Sequence, residues 1–91
     1  MRAEEEPAAD TGAERRRLLW RCRRGMRELD ALLMRYMERR YPLAGASEQA
    51  AFRDFLSLPD PEILALLTGR AGSDDAATTQ IVGQILAVRI S

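Results

Sequence analysis

The side chains of this chain that could do chemistry are concentrated in one stretch, WRCRRGMRELD, residues 20 to 30. It holds four guanidiniums (Arg21, Arg23, Arg24, Arg27), two carboxylates (Glu28, Asp30), the indole of Trp20, the thiol of Cys22 and the hydrogen-only side chain of Gly25. Guanidiniums and carboxylates at this density can make directional, charge-assisted hydrogen bonds. They are poorly equipped for acid–base or nucleophilic catalysis, because the chain has no histidine and Cys22 is its single cysteine. The same absences remove the usual zinc ligand sets and any intramolecular disulfide. The chemistry on offer is therefore recognition.

Arg24 and Glu28 are four residues apart, so on a continuous helix they could pair, but Arg before Glu is the weaker order and contributes only a few tenths of a kcal/mol. Gly25 would weaken such a helix by roughly 1 kcal/mol relative to alanine. Two readings follow from the residues alone. The stretch is a helix-to-helix corner with a glycine at its left-handed position, or it is a patch in which the glycine lets another backbone approach between polar side chains. Cys22, with no base or second thiol to use it, reads as a packing residue. Trp20 reads as a core or inter-helix aromatic.

The elements that carry this stretch are helices. Thr11-Gly12-Ala13-Glu14 fits a capping box, and a first helix is expected from about Gly12 to Arg24. Met26, Leu29, Leu33, Tyr36 and Met37 recur at spacings of three and four and predict a second helix to about Arg40. Pro42 ends it. A third helix, capped by Ser47, uses Ala51, Phe52, Phe55 and Leu56 as its inner face. Asp60-Pro61 supplies a cap and a first-turn proline for a fourth, which carries Ile63, Leu64, Leu66 and Leu67 and stops at Gly69. Ser73, Asp74 and Asp75 open a fifth, with Ile81, Val82, Ile85 and Leu86 inside and Gly83 as a point of fraying. The fold class expected is a compact all-α five-helix bundle in one domain, residues 12–91, preceded by a flexible acidic tail, residues 1–11.

Composition narrows the function classes. A chain of 91 residues builds one modest core, which favours an interaction module over an enzyme with a deep cleft. All fourteen basic residues are arginine and the net charge is zero, yet the charge is segregated: −4 over residues 1–14, +7 over 15–40 and −3 over 41–91. Arg15, Arg16, Arg17, Arg21, Arg23, Arg24 and Arg27 make the first helix cationic. It is either a solvated helix or a docking face for phosphates or for an acidic protein, so a nucleic-acid-binding helical module stands as an alternative. The longest apolar run, Ile63 to Leu67, is far short of a membrane span. The first ten residues carry neither a secretory core nor a basic transit peptide, and the expected location is the cytoplasm.

The run from Trp20 to Asp30 resembles the signature of the succinate dehydrogenase assembly factors, small flavinylation factors marked by Arg-Gly-x-x-Glu. Phe52-Arg53-Asp54-Phe55-Leu56 and Asp60-Pro61-Glu62-Ile63-Leu64 resemble that family's third- and fourth-helix segments in order and spacing, and the likeness covers about residues 14 to 90. One departure is Leu66, where the family often has tryptophan. The resemblance implies a five-helix bundle that binds the flavoprotein subunit of succinate dehydrogenase, and in some bacteria fumarate reductase, and promotes covalent attachment of FAD to a histidine of that subunit. Carried over by position, Arg24, Gly25 and Glu28 are the motif residues and Arg23, Asp30 and Trp20 their companions in partner binding. With no histidine and no dinucleotide fingerprint, the chain is expected to have no cofactor of its own: the partner supplies FAD and nucleophile. It would then act as a chaperone, not an enzyme, with neither nucleic acid nor membrane insertion in its role. Arg24→Ala or Gly25→Arg is expected to abolish flavinylation with the bundle still folded.

Overall fold

The structure, a computed structural model, describes residues 12–90. Helix α1 spans Gly12–Arg21, α2 Arg27–Arg39, α3 Ala46–Phe55, α4 Asp60–Thr68 and α5 Ala76–Ala87, with single 3-10 turns at Tyr41–Leu43 and Val88–Ile90. No strand occurs among the described residues, and the all-α five-helix bundle is what the apolar spacing implies. The acidic tail and Thr11 of the capping box lie outside the described residues.

Helix α2 is the axis of the core. Its Leu29, Leu33, Tyr36 and Met37 point inward and meet Phe52 and Phe55 of α3, Ile63 and Leu67 of α4, and Ile81 and Ile85 of α5. The Tyr36 ring packs 4.4 Å from Phe52, centroid to centroid, and 6.3 Å from Tyr41 in an edge-on arrangement. A polar clamp then ties α2 to the first turn of α3. The Tyr36 hydroxyl donates to Glu48 Oε2 at 2.6 Å, and Arg40 donates to both Glu48 oxygens at 2.9 and 3.0 Å. The Arg40 guanidinium, helped by the Tyr36 hydroxyl, holds the Glu48 carboxyl below the usual carboxylate range. Burial, with the Glu48 hydrogen bond second, pushes the Tyr36 hydroxyl up.

Several helix ends differ from the expected ones. Helix α1 stops at Arg21 instead of Arg24, so the cationic helix expected from the arginines does not continue through the corner. Gly45, in extended backbone, holds the cap position of α3 without a side-chain bond, and Ser47 lies exposed in the first turn. Pro59 holds the cap position of α4, which frees the Asp60 carboxylate for another task. At α5 the cap is Asp75, which accepts from the Thr78 amide at 2.8 Å, while Ser73 Oγ accepts from the Asp75 amide. Gly83 does not interrupt α5. Gly69 ends α4 at φ 83°, the left-handed stop its position predicts.

Candidate functional site

The residues between α1 and α2 form a corner, and Arg24 is its staple. Its guanidinium uses four N–H donors: Nε to Asp60 Oδ1 at 2.7 Å, Nη1 to the carbonyls of Arg21 at 2.8 Å and Leu56 at 3.0 Å, and Nη2 to the carbonyl of Leu58 at 3.0 Å. One planar cation thus joins the end of α1, the α3–α4 connection and the start of α4, a geometry a lysine point charge cannot reproduce. The Arg24 side chain is only 14% exposed. Its backbone amide donates to Asp30 Oδ1 at 2.8 Å, which fastens the corner to α2 as well. Arg21 adds a second tie, from Nη2 to the Arg53 carbonyl and the Ser57 hydroxyl. Arg24 and Glu28 do not pair, because helix α2 begins only at Arg27.

Cys22 is fully buried beneath this corner. Burial pushes its thiol up to about 12, outweighing the nearby guanidiniums of Arg24 and Arg21, which act in the opposite direction. Native protein is therefore expected to resist alkylation at pH 8. Iodoacetamide should label Cys22 roughly a thousandfold more slowly than a thiol of ordinary pKa, with full labelling in denaturant, as followed by mass spectrometry. Because the folded thiol is raised, its stabilising contribution is complete below about pH 9 and declines as pH climbs toward 12. A sensitive native thiol at pH 8 would contradict this burial.

With Arg24 turned inward, other groups face solvent. Gly25 stands at φ 81°, exposed, and a Cβ built on it meets nothing within 4 Å. Its glycine identity answers the backbone angle, and the space above it is open. Trp20 is not a core aromatic. It is 70% exposed, because Leu18 and Cys22 take the inward positions of this segment, and the Arg23 guanidinium carbon lies 5.5 Å from its ring centroid. Two shallow concavities run together here. One is lined by Arg16, Leu19, Trp20, Arg23 and Met34, and the other by Arg23, Gly25, Arg27, Asp30, Ala31 and Met34.

Glu28 lies elsewhere. It is exposed, makes no hydrogen bond or ion pair among the described residues, and borders a larger groove between α2, α4 and α5 that touches the Gly25 surface at Ala31. The structure thus brings Trp20, Arg23, Gly25 and Asp30 to one surface, puts Glu28 around the helix from them, and takes Arg24 inside. Sequence reading missed Met34 and Ala31 as members of this surface, and assigned Arg27 to the first helix where the structure has it open α2. Their successive spacing of four and three from Arg27 along α2, off the apolar stripe, is the signal that marks them. It also missed Asp60, which lies 36 residues from Arg24 and carries no local signal.

The arrangement suits contact with a macromolecule. Among the described residues no group of three or more histidine, cysteine, aspartate or glutamate side chains could hold a metal ion. No described helix is long and apolar enough to cross a membrane.

The sequence is similar to those of known proteins. The family described as flavinator of succinate dehydrogenase matches residues 16–89. A protein named FAD assembly factor SdhE from Methylococcus capsulatus is 41% identical over 76 residues, covering 84% of this chain and 92% of the relative. The protein of the same name from Xylella fastidiosa strain 9a5c is 39% identical over 84 residues, 92% of this chain and 87% of the relative. That from Pseudomonas aeruginosa is 38% identical over 73 residues, 80% and 87% of the two chains. No solved structure matches the chain. These relatives leave the nucleic-acid alternative without support. A match spanning the corner, the core helices and the groove means that the chain belongs to the flavinator of succinate dehydrogenase family.

Proposed function

We propose that this protein is an assembly factor that binds the flavoprotein subunit of succinate dehydrogenase and promotes covalent attachment of FAD to it. The observation that carries the reading is the outward surface of the corner, where the open space over Gly25 is bordered by the exposed Trp20–Arg23 pair, in a chain of this family. Trp20, Arg23, Gly25 and Asp30 contact the client on one side of α2, and Glu28 contacts it on the other. Arg24 acts by shaping the corner. The protein works in the cytoplasm as a single helical domain, without catalysing the attachment itself. The client holds FAD and supplies the attacking histidine, and the assembly factor favours the client conformer in which the two meet.

Deletion of the gene, followed by flavin fluorescence of the denatured flavoprotein band, tests this. Loss of the fluorescent band and its return with the wild-type gene are expected. The Glu28→Ala variant should fold within about 0.5 kcal/mol of wild type, since the side chain has no partner to lose among the described residues. Its rescue should fall roughly tenfold, the loss expected from one interface anchor. Full covalent flavin in the deletion strain would refute the proposed role.

A further inference from the structure

The groove beside Glu28 has a charge pattern of its own. It encloses about 760 Å³ between α2 and the C-terminal halves of α4 and α5. Leu32, Leu64, Leu67 and Leu86 form its apolar floor and walls. Glu28 and Arg35 border it from α2 and Arg89 from the final turn. Glu28 and Arg35 are seven residues apart on α2, so they project from nearly the same face about 10 Å apart along the axis. Arg35 donates to the Arg89 carbonyl at 3.1 Å, which ties this end of α2 to the final turn. Among the described residues, the groove therefore has an unpaired carboxylate, Glu28, at one end, the Arg35 guanidinium without a carboxylate partner at the other, and leucines between them.

We infer that this groove takes an amphipathic helical segment of the flavoprotein client, forming the second half of the client interface; the inference rests on the function proposed above. The matching segment carries a basic residue over Glu28 and an acidic residue over Arg35. Residues seven apart on a helix repeat the 10 Å spacing, and two or three apolar side chains between them fill the leucine-lined space. The groove meets the Gly25 surface at Ala31, so one client can cover both by straddling the first half of α2. A second copy of this chain fits less well. The large exposed apolar side chains among the described residues are Trp20 and Leu43, and Trp20 sits among arginines that would approach Arg35 and Arg89.

The test is direct binding of the purified full-length protein to the flavoprotein subunit isolated from the deletion strain, measured by calorimetry. Three variants are compared: Leu64→Glu inside the groove, Arg35→Glu at its rim, and Gly25→Arg at the corner. Leu64→Glu and Arg35→Glu are each expected to weaken binding at least tenfold. Arg35→Glu, an exposed position, keeps the test valid where Leu64→Glu fails to fold. Wild-type binding that Gly25→Arg abolishes and both folded groove variants leave unchanged overturns the groove and keeps the assembly function. No binding by the wild type overturns both. Sedimentation checks the remaining occupant: a dimer dissociated by Arg35→Glu at unchanged client affinity reassigns the groove to self-association and overturns the inference.

Discussion

Replacing Arg24 by alanine is expected to cost the fold about 2–4 kcal/mol, read as a drop in the melting temperature of ten degrees or more. The side chain satisfies three backbone carbonyls and one carboxylate, and removing it leaves those acceptors in partly buried surroundings. The range stays below that of a fully buried pair because the Asp60 side chain is 38% exposed and water can reach it. Arg24→Lys should recover less than half of the loss, since an ammonium cannot serve four acceptors in one plane. A double-mutant cycle with Asp60→Ala should give a coupling of about 1 kcal/mol or more. Covalent flavinylation falls in the same variants, as a consequence of a disordered corner. The expectation that Arg24→Ala leaves the bundle intact thus changes with the structure. If the variant melted like wild type and still failed to support flavinylation, the guanidinium would have to be a direct contact.

Gly25 is expected to show a different pattern, in which stability and activity rank the same substitutions differently. Its φ of 81° strains any residue with a Cβ, by about 1–2 kcal/mol for alanine or arginine. Asparagine, which tolerates the left-handed region, should lose less than about 1 kcal/mol. Space within the protein is no obstacle, as nothing lies within 4 Å of the added carbon. Thermal unfolding should therefore rank glycine first, asparagine second, and alanine with arginine last. Flavinylation should instead follow the bulk placed between this surface and the client: glycine, alanine, asparagine, and arginine with no detectable product. If flavinylation follows the unfolding order, the glycine serves the backbone alone and the open space above it has no role.

The parts of this structure legible in sequence are those governed by local spacing. The stripe from Leu29 to Met37 predicts α2 to within a residue at each end, because one buried face must repeat at helical intervals. Gly69 closes α4 where a left-handed stop belongs. What cannot be read locally is where a polar group turns. Asp60 looks like a helix cap but is captured by a guanidinium 36 positions away. Gln49 carries no local signal of its place, and it is buried and donates to the Tyr41 carbonyl at 2.7 Å. Trp20 looks like core and is exposed, since only the docked bundle decides which side of a short helix is already full. At the site, the motif residues are adjacent in sequence while the structure divides their tasks. Arg24 holds the corner, Gly25 opens it and Glu28 faces a separate groove.

The reach of the Arg24 guanidinium has a consequence for timing. Its acceptors are spread from residue 21 to residue 60, so during synthesis the corner cannot lock until the start of α4 has left the ribosome and docked. A nascent N-terminal half would carry the whole motif as sequence but only its local ties, from Arg24 to Arg21 and Asp30. With the client docking on the corner as proposed above, an incomplete molecule would lack the finished surface, and the ability to receive a client would follow closure of the chain on itself.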